Sequence, residues 1–294
     1  MLRTKTVFIL GAGASQPFGF PLGFELYQRV VDFRDPSRKY LLDCTAFTER
    51  HLVPFIKSLQ QSGLTSVDLF LENRPEFLNI GKACMAVILI QKEIENKLWT
   101  DDLNWMKYLW QRMQPYDHLN DNQVSFITYN YDRSLEHFLV TSLQNTLNLS
   151  IEDSAKIIAK IPIVHLHGRL GYLPWQNDGR EAREYHADVN HQSVELSVRH
   201  IHVYHEEPDD KRDKEFAEAH RLMAEAQNIY FLGFGFGTKN VERLKFPELT
   251  NEFHATGKNL TDKERADIRG ACASKGFLHD MDCIDFLRHR ATLK

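Results

Sequence analysis

The chain has 294 residues, of which 43% are hydrophobic and 26% are charged, and its formal net charge at pH 7 is −4. This composition is typical of one large globular unit or two modest ones, and the acidic balance argues against a surface that coats nucleic acid. Every apolar run is shorter than the ~18 residues of a membrane-spanning helix, and the first is too short for a signal peptide. We therefore expect a cytoplasmic protein without membrane contacts, and direct nucleic-acid binding is not indicated.

The first predicted element is a buried strand over residues 7–10 that runs straight into a glycine-rich loop. A strand that ends in Gly-Ala-Gly presents bare backbone N–H groups at the carboxyl edge of its sheet, where a phosphate can approach closely. The dehydrogenase fingerprint requires a third glycine at position 16, which is Gln16 here. We therefore predict a dinucleotide-binding loop of another type, with a plain glycine turn as the alternative. Its candidate ligand-binding residues are Gly11, Ala12, Gly13 and Ser15.

A long helical pattern follows this loop. Residues 24–33 predict one helix, and the apolar spacing over 47–113 is helical throughout, with one long helix expected over 77–99. Aromatic residues at helical spacing in this block indicate a packed core rather than a ligand cradle. We therefore predict an all-helical insertion at about residues 40–118, between the first strand and the second.

Alternation of strands and helices resumes after the insertion. We predict strands at 124–128, 161–166, 201–204 and 229–232, and helices at 131–142, 213–227 and from 262 onward. The polar stretch 169–195 is predicted to be a loop or lid. Strands that alternate with helices indicate an α/β fold with a Rossmann-like parallel sheet flanked by helices, here in a single domain over residues 1–294.

Three further segments lie where a doubly wound sheet binds its ligand, at the carboxyl ends of its strands. TYNYD at 128–132 ends the strand VSFIT, HLHG at 165–168 follows IPIV, and GFGFG at 233–237 follows IYFL. Each segment alone is weak evidence, but the four strand ends together predict one site. The candidate residues in and just after these three segments are Thr128, Asn130, Asp132, His165, His167, Gly233, Phe234, Gly235 and Asn240.

Together the four segments resemble the sirtuin-like (SIR2) superfamily. GAGAS is similar to the GAG-x-S loop of that family and TYNYD to its T-x-N-x-D motif, while HLHG resembles its catalytic histidine–glycine pair and GFGF with Asn240 its last nucleotide-binding segment. The resemblance covers residues 7–240 and implies a Rossmann-like domain that binds NAD+ and breaks its nicotinamide–ribose bond. It selects His167 over His165 and implies that His167 and Asn130 are catalytic, while the candidates other than these two and His165 bind NAD+.

Two departures indicate the branch of the superfamily. Protein deacylases of the family carry a zinc ribbon with two C-x-x-C pairs, whereas the four cysteines here are scattered, so no metal is expected. They also carry Asp-Phe-Arg directly after the first loop, and the triplet at 32–34 comes too late along the chain. The chain instead resembles bacterial SIR2-type NAD+ hydrolases of antiphage defence, some of which act beside a HerA-like ATPase or an Argonaute-like partner.

The candidate residues suit this chemistry. Cleavage of a glycosidic bond passes through an oxocarbenium-like state, and an imidazole such as that of His167 can accept a proton from water or a ribose hydroxyl. Asn130 can donate and accept hydrogen bonds and so orient water or ribose. Asp132 could fix the ribose or cap the following helix. His165 is interpreted as structural, because neighbouring strand residues face opposite sides of a sheet.

Two other functions stay open, namely an NAD-dependent protein deacylase and a non-catalytic NAD+ or ADP-ribose sensor or scaffold. An NAD+ hydrolase that is always active would kill its host, so we expect a homo-oligomer or a partner to gate it, with 47–113 as the contact surface. The crowded histidines lack the spacing of a zinc motif and are interpreted as loop and surface residues. These histidines are His186, His191, His200, His202 and His205.

Overall fold

The computed structural model describes residues 1–32, 34, 36–100, 103–176, 181–203, 210–245, 251–272 and 276–294, and only the backbone of 210–213. The strands are β1 (Thr6–Leu10), β2 (Val124–Thr128), β3 (Ile163–His165), β4 (Asn228–Leu232), β5 (Phe253–Thr256) and β6 (Gly276–His279). The α-helices are α1 (Ala12–Ser15), α2 (Gly23–Val31), α3 (Ser37–Cys44), α4 (Glu49–Gln61), α5 (Val67–Asn73), α6 (Leu78–Ile90), α7 (Lys97–Thr100), α8 (Trp105–Arg112), α9 (Ser134–Leu147), α10 (Ile151–Ile158), α11 (His191–His200), α12 (Asp210–Glu225), α13 (Thr238–Arg243), α14 (Asp262–Ala271) and α15 (Cys283–His289). Short 3-10 helices span Gln16–Phe18, Pro75–Phe77, Tyr116–Asp121 and Pro174–Gln176.

The strands form one parallel sheet in the order β3-β2-β1-β4-β5-β6, which is the strand order of a Rossmann fold. The predicted α/β class, with helices flanking a parallel sheet, is therefore confirmed. Leu10 at the end of β1 pairs with Thr128 on one side and with Leu232 on the other, and Thr128 pairs with His165. Four strand ends thus lie in one row, and the strand order reverses within that row, between β1 and β4.

The central strands are buried on both faces, as expected for a parallel sheet covered by helices. Along β1, Phe8 and Leu10 pack into one core, whereas Val7 and Ile9 pack into a second core on the opposite face. The first core continues into the helices between β1 and β2, and the second lies against α12 and α13. The period-two pattern of the strands therefore divides the interior into two layers.

Between β1 and β2 the chain is helical, and α6 lies at the centre of this insertion. Every residue of α6 from Ile80 to Ile90 is buried, which is typical of a helix that is packed all round. Helices α2, α3, α4 and α5 pack around it, together with α11 from the segment between β3 and β4. The insertion and the chain after β3 therefore share one core.

Three strand predictions need correction. No strand is predicted at β5 and a helix is predicted at β6, and both predictions are wrong. These short strands lack an apolar run, so their pairing in the sheet defines them rather than their sequence. The strand predicted at 201–204 is also wrong, since Ile201 forms only an isolated bridge to Gly168 and residue 204 lies outside the described residues.

Helix predictions also need correction. The long helix expected over 77–99 ends at Ile90, because the chain turns there and brings Glu93 inward, and α7 is a separate helix. The stretch 169–195 is no simple loop, since it contains a 3-10 helix and the start of α11. Its residues 177–180 lie outside the described residues, as does residue 33, the expected end of the first helix.

A buried ion cluster ties this stretch to the insertion. Arg133 donates to both carboxylate oxygens of Glu93, at 2.9 and 2.6 Å, and Arg183 donates to one of them at 2.6 Å. The side chains of Glu93 and Arg133 have no exposed surface. Burial lowers the pKa of Arg183 to about 10, although the charge of Glu93 opposes the shift. The cluster therefore joins the turn after α6, the start of α9 and the segment before α11.

We expect Glu93→Ala to destabilise the fold by about 3–5 kcal/mol, because it leaves two guanidinium groups buried without a counter-charge. Urea unfolding followed by circular dichroism measures the change. Glu76→Ala is the matched control, since Glu76 pairs with Arg74 at the surface and its loss should change stability little. If Glu93→Ala behaves like this surface substitution, the cluster does not hold the two parts together.

Candidate active site

The two glycine loops pack backbone against backbone at the ends of β1 and β4. The amides of Gly11 and Gly13 donate to the carbonyls of Leu232 and Gly233, at 3.0 and 2.9 Å. A Cβ on Gly13 would lie 2.7 Å from Cα of Gly233, and Gly233 itself has a φ of +60°. The contact between the two loops therefore requires glycine at these positions. The backbone N–H groups of Gly11 and Gly13, which the sequence suggested as phosphate donors, are bonded instead to protein carbonyls.

A polar network joins the first loop to TYNYD. Nδ2 of Asn130 donates to the carbonyl of Gly11 at 2.9 Å and to Oγ of Ser15 at 2.8 Å. Ser15 in turn donates to Oδ2 of Asp132 at 2.6 Å, and Oδ1 of Asp132 accepts from the amide of Ser134 at 3.1 Å. Burial raises the pKa of Asp132, while these hydrogen bonds oppose the shift. Asp132 therefore both holds the loop and caps the start of α9.

The network fixes the orientation of the Asn130 side chain. Both of its N–H groups are donated within the protein, so Oδ1 is the side-chain atom by which it would contact a ligand. The hydroxyl of Thr128 accepts a hydrogen bond from the backbone N–H of Asn130 at 3.0 Å and so supports the same turn. Beneath the network lies a cavity of about 20 Å³ that Ser15 and Asp132 help to line, which is room for one water molecule.

His165 lies in the interior with both ring nitrogens bonded. Its Nε2 lies 2.7 Å from Oε1 of Glu136, and its Nδ1 lies 3.2 Å from the carbonyls of both Asn130 and Gly168. Burial by itself would raise the pKa of Glu136, but the charge and hydrogen bond of His165, together with Arg169, lower it to about 2. His165 is therefore structural, in agreement with the sequence interpretation, and it fixes the backbone of two motifs.

His167 lies against two tyrosine rings. Its imidazole contacts Tyr129 edge-on, with the ring centroids 4.9 Å apart, and Tyr131 with the centroids 6.3 Å apart. These tyrosines flank Asn130 in the sequence, so His167 lies beside the segment that carries the other candidate catalytic residue. His167 is partly exposed, whereas His165 is only 1% exposed. The histidine that the resemblance selects is thus the less buried of the pair, although its Nε2 is itself buried.

The third segment contributes a buried side chain as well as exposed backbone. Phe234 packs against Tyr129 and Phe231 in an aromatic cluster, so its side chain belongs to the core. Gly235 is exposed, and a Cβ on it would meet no atom within 4 Å. Asn240 lies on α13, where its carbonyl accepts a hydrogen bond from the Tyr129 hydroxyl at 3.3 Å.

The insertion supplies residues to this edge that the sequence analysis missed. The hydroxyl of Tyr131 donates to the carboxylate of Asp68 in α5. One turn later in α5, Glu72 forms ion pairs with Lys239 and, at 2.9 Å, with Arg243 of α13. No local signal marks these residues, because acidic side chains on an amphipathic helix usually indicate a solvated face. Only the fold brings α5 to the carboxyl edge of the sheet.

Two further features concern metals and membranes. Within the described ranges, no group of three or more histidine, cysteine, aspartate or glutamate side chains could hold a metal ion. Of the crowded histidines, His191 bonds to the carbonyl of Cys44 and His200 to that of Leu196, each at 2.8 Å, and His205 lies outside those ranges. No helix in the same part of the chain combines the length and apolar character needed to cross a bilayer.

No protein-family model matches this chain, and no curated protein matches it. The site is therefore defined by its own geometry. The first loop, TYNYD and HLHG meet at one edge of the sheet, joined by the bonds of Asn130 and the ring contacts of His167. The last segment joins them through its contact with Gly13 and through α13.

We expect Gly13→Ala to destabilise the fold by about 1–3 kcal/mol, because the added methyl group would overlap the backbone of Gly233. Scanning calorimetry measures the loss as a lower melting temperature. Gly235→Ala, in the second loop but with open space around it, is the matched control and should melt close to the wild type. Equal melting temperatures for the two variants would show that the loops are not in close contact.

Proposed function

We propose that this protein is an NAD+ glycohydrolase, which converts NAD+ to nicotinamide and ADP-ribose. The observation that carries the proposal is the parallel register of β1, β2 and β3, through which the glycine loop, Asn130 and His167 share one edge of the sheet. In an open α/β sheet, dinucleotides bind at this edge, beside the reversal of strand order. The likeness of the four segments to SIR2 motifs supports the same reaction.

The residues present are compatible with NAD+. Gly235 is exposed and no atom would lie close to a Cβ on it, so its backbone would be available to a pyrophosphate beside the two loops. The amides of Gly11 and Gly13 would not be its donors, because they bond to β4 carbonyls, so these two glycines would contribute the shape of the loop. Oδ1 of Asn130 and the imidazole of His167 would face the ribose, where one accepts hydrogen bonds and the other can exchange a proton.

The chemistry assigned to these side chains follows from their contacts. The nicotinamide ring leaves as a neutral group, so little acid assistance is needed. His167 would accept a proton from the attacking water or a ribose hydroxyl, a contribution of roughly 10²–10⁴-fold in rate. Asn130 would orient that water or the ribose through Oδ1, and its bonds to Gly11 and Ser15 prevent the amide from turning. Because the Asn130 side chain is already held in one orientation, it loses little conformational entropy in the reaction.

Regulation forms part of the proposal. An unregulated NAD+ hydrolase would deplete its host, so we propose that assembly into a homo-oligomer, or a partner such as a HerA-like ATPase, controls the activity. A role in antiphage defence would follow from the same resemblance. The insertion is the part of the chain best suited to transmit such control, because α5 contacts both TYNYD and α13.

The test is release of nicotinamide from NAD+ by the purified protein, alone and with the product of the neighbouring gene. We expect His167→Ala to lower turnover by about a hundredfold or more, the scale for loss of a positioned acid–base group. Binding of NAD+, followed by calorimetry, should persist. We expect a comparable loss in Asn130→Ala, and little further loss in the double variant, because residues that act as a unit are not additive.

The control is His191→Ala, since this side chain lies on α11 with 75% of its surface exposed. His165→Ala is unsuitable, because it would leave Glu136 buried without its partner. Normal turnover in His167→Ala would overturn the assignment of the base. Binding of NAD+ without cleavage under every condition would favour a sensor, and cleavage only in the presence of an acylated peptide would favour a deacylase.

A further inference from the structure

Two tyrosines contact the ring of His167, and the hydroxyl of each is anchored to a different helix. Tyr129 donates to the carbonyl of Asn240 in α13, and Tyr131 donates to the carboxylate of Asp68 in α5. Helix α13 follows the last strand-end segment of the nucleotide-binding fold, whereas α5 belongs to the insertion. The surroundings of the imidazole therefore depend on both parts of the molecule.

Helix α5 is itself held against α13. Glu72 follows Asp68 by one helical turn and so lies on the same face of α5. It pairs with Arg243 at 2.9 Å, and the side chains of Glu72 and Arg243 are only 5% and 8% exposed. These contacts close a ring that runs from His167 through one tyrosine to α5, across to α13, and back through the other tyrosine.

We propose that Asp68 is a positioning residue for His167 and acts through the hydroxyl of Tyr131. The inference rests on the proposed function, in which His167 is the general base. A tyrosine ring that is fixed at its hydroxyl cannot swing about its side-chain torsions, so it presents a constant surface to the imidazole. A shift of α5 would move the anchor and then the ring. The insertion thereby controls the geometry of the base without contacting substrate.

The burial of Asp68 strengthens this assignment. Burial raises the pKa of its carboxyl, while the hydrogen bond from Tyr131 opposes the shift. Asp68 is half-buried, and a carboxyl group that loses part of its hydration is stabilised by a donor such as the tyrosine hydroxyl, which is thereby held in place. Asp68 carries no other assigned role at this edge of the sheet.

The first experiment observes His167 directly and does not require activity. In protein with 13C-labelled histidine, the Cε1–H signal of His167 is assigned by its disappearance in His167→Ala. We expect Tyr131→Phe and Asp68→Ala to shift and broaden this signal and to change its titration with pH. Asp68→Asn should stay close to the wild type, because its amide oxygen still accepts from Tyr131.

The second experiment measures nicotinamide release. We expect Tyr131→Phe and Asp68→Ala to lower kcat by about tenfold to a hundredfold with little change in KM, because misplacement of a reacting group affects the chemical step. The double variant should be no slower than either single variant. Tyr108→Phe is the matched control, since it removes a hydroxyl of the insertion that bonds to Arg112 and leaves the ring of contacts intact.

The outcomes separate this inference from the proposed function. An unchanged His167 signal in folded Tyr131→Phe and Asp68→Ala overturns the positioning role, as does a change in Asp68→Asn equal to that in Asp68→Ala. A wild-type protein that never releases nicotinamide overturns the NAD+ hydrolase proposal alone, and the NMR comparison still decides whether Asp68 positions His167.

Discussion

The direct contact between the two glycine loops is the constraint on which the rest of the site depends. Because Gly13 and Gly233 meet without side chains between them, the ends of β1 and β4 stay together at the point where the strand order reverses. The first loop then accepts two hydrogen bonds from the Asn130 side chain, at the carbonyl of Gly11 and the hydroxyl of Ser15. From the opposite side, the insertion holds the same loop, since Trp105 donates to the carbonyl of Ala14 at 2.8 Å.

Buried charges directly behind the site fix the backbone that follows β2. Asp132 caps α9, Arg133 bonds to Glu93 of the insertion, and Glu136 bonds to His165 beside HLHG. Arg133 and Glu136 are fully buried ions, which are tolerated because their partners and further hydrogen bonds are present, whereas Asp132 is half-buried. The start of α9 and the two residues before it therefore connect the sheet, the insertion and the histidine segment, and leave that segment little freedom to adopt another arrangement.

The insertion belongs to the candidate site and is not an appendage of the parallel sheet and its flanking helices. Its helix α5 reaches both TYNYD and α13, and its helix α8 supports the first loop. A partner or a second copy that binds the insertion would therefore act on the elements around His167 through existing contacts. If assembly controls the proposed chemistry, these contacts would couple the two mechanically, and no second ligand site would be needed.

The sequence by itself predicted the central strands, the helical insertion after β1 and the edge of the sheet at which the four candidate segments meet. Apolar runs such as the one before Gly11 are local signals, and a parallel sheet brings the residues after each run to one edge. Alternation along β3 does not separate His165 from His167, because residues two apart on a strand share a face; the strand ends at His165, and His167 lies in the turn that follows. Only the tertiary structure decided the partners of those residues. Contacts between distant parts of the chain leave no periodicity in the sequence. Three features depend on such contacts: the packing of Gly13 against Gly233, the hydrogen bond from Tyr131 to Asp68, and the pairing of β5 and β6 in the sheet.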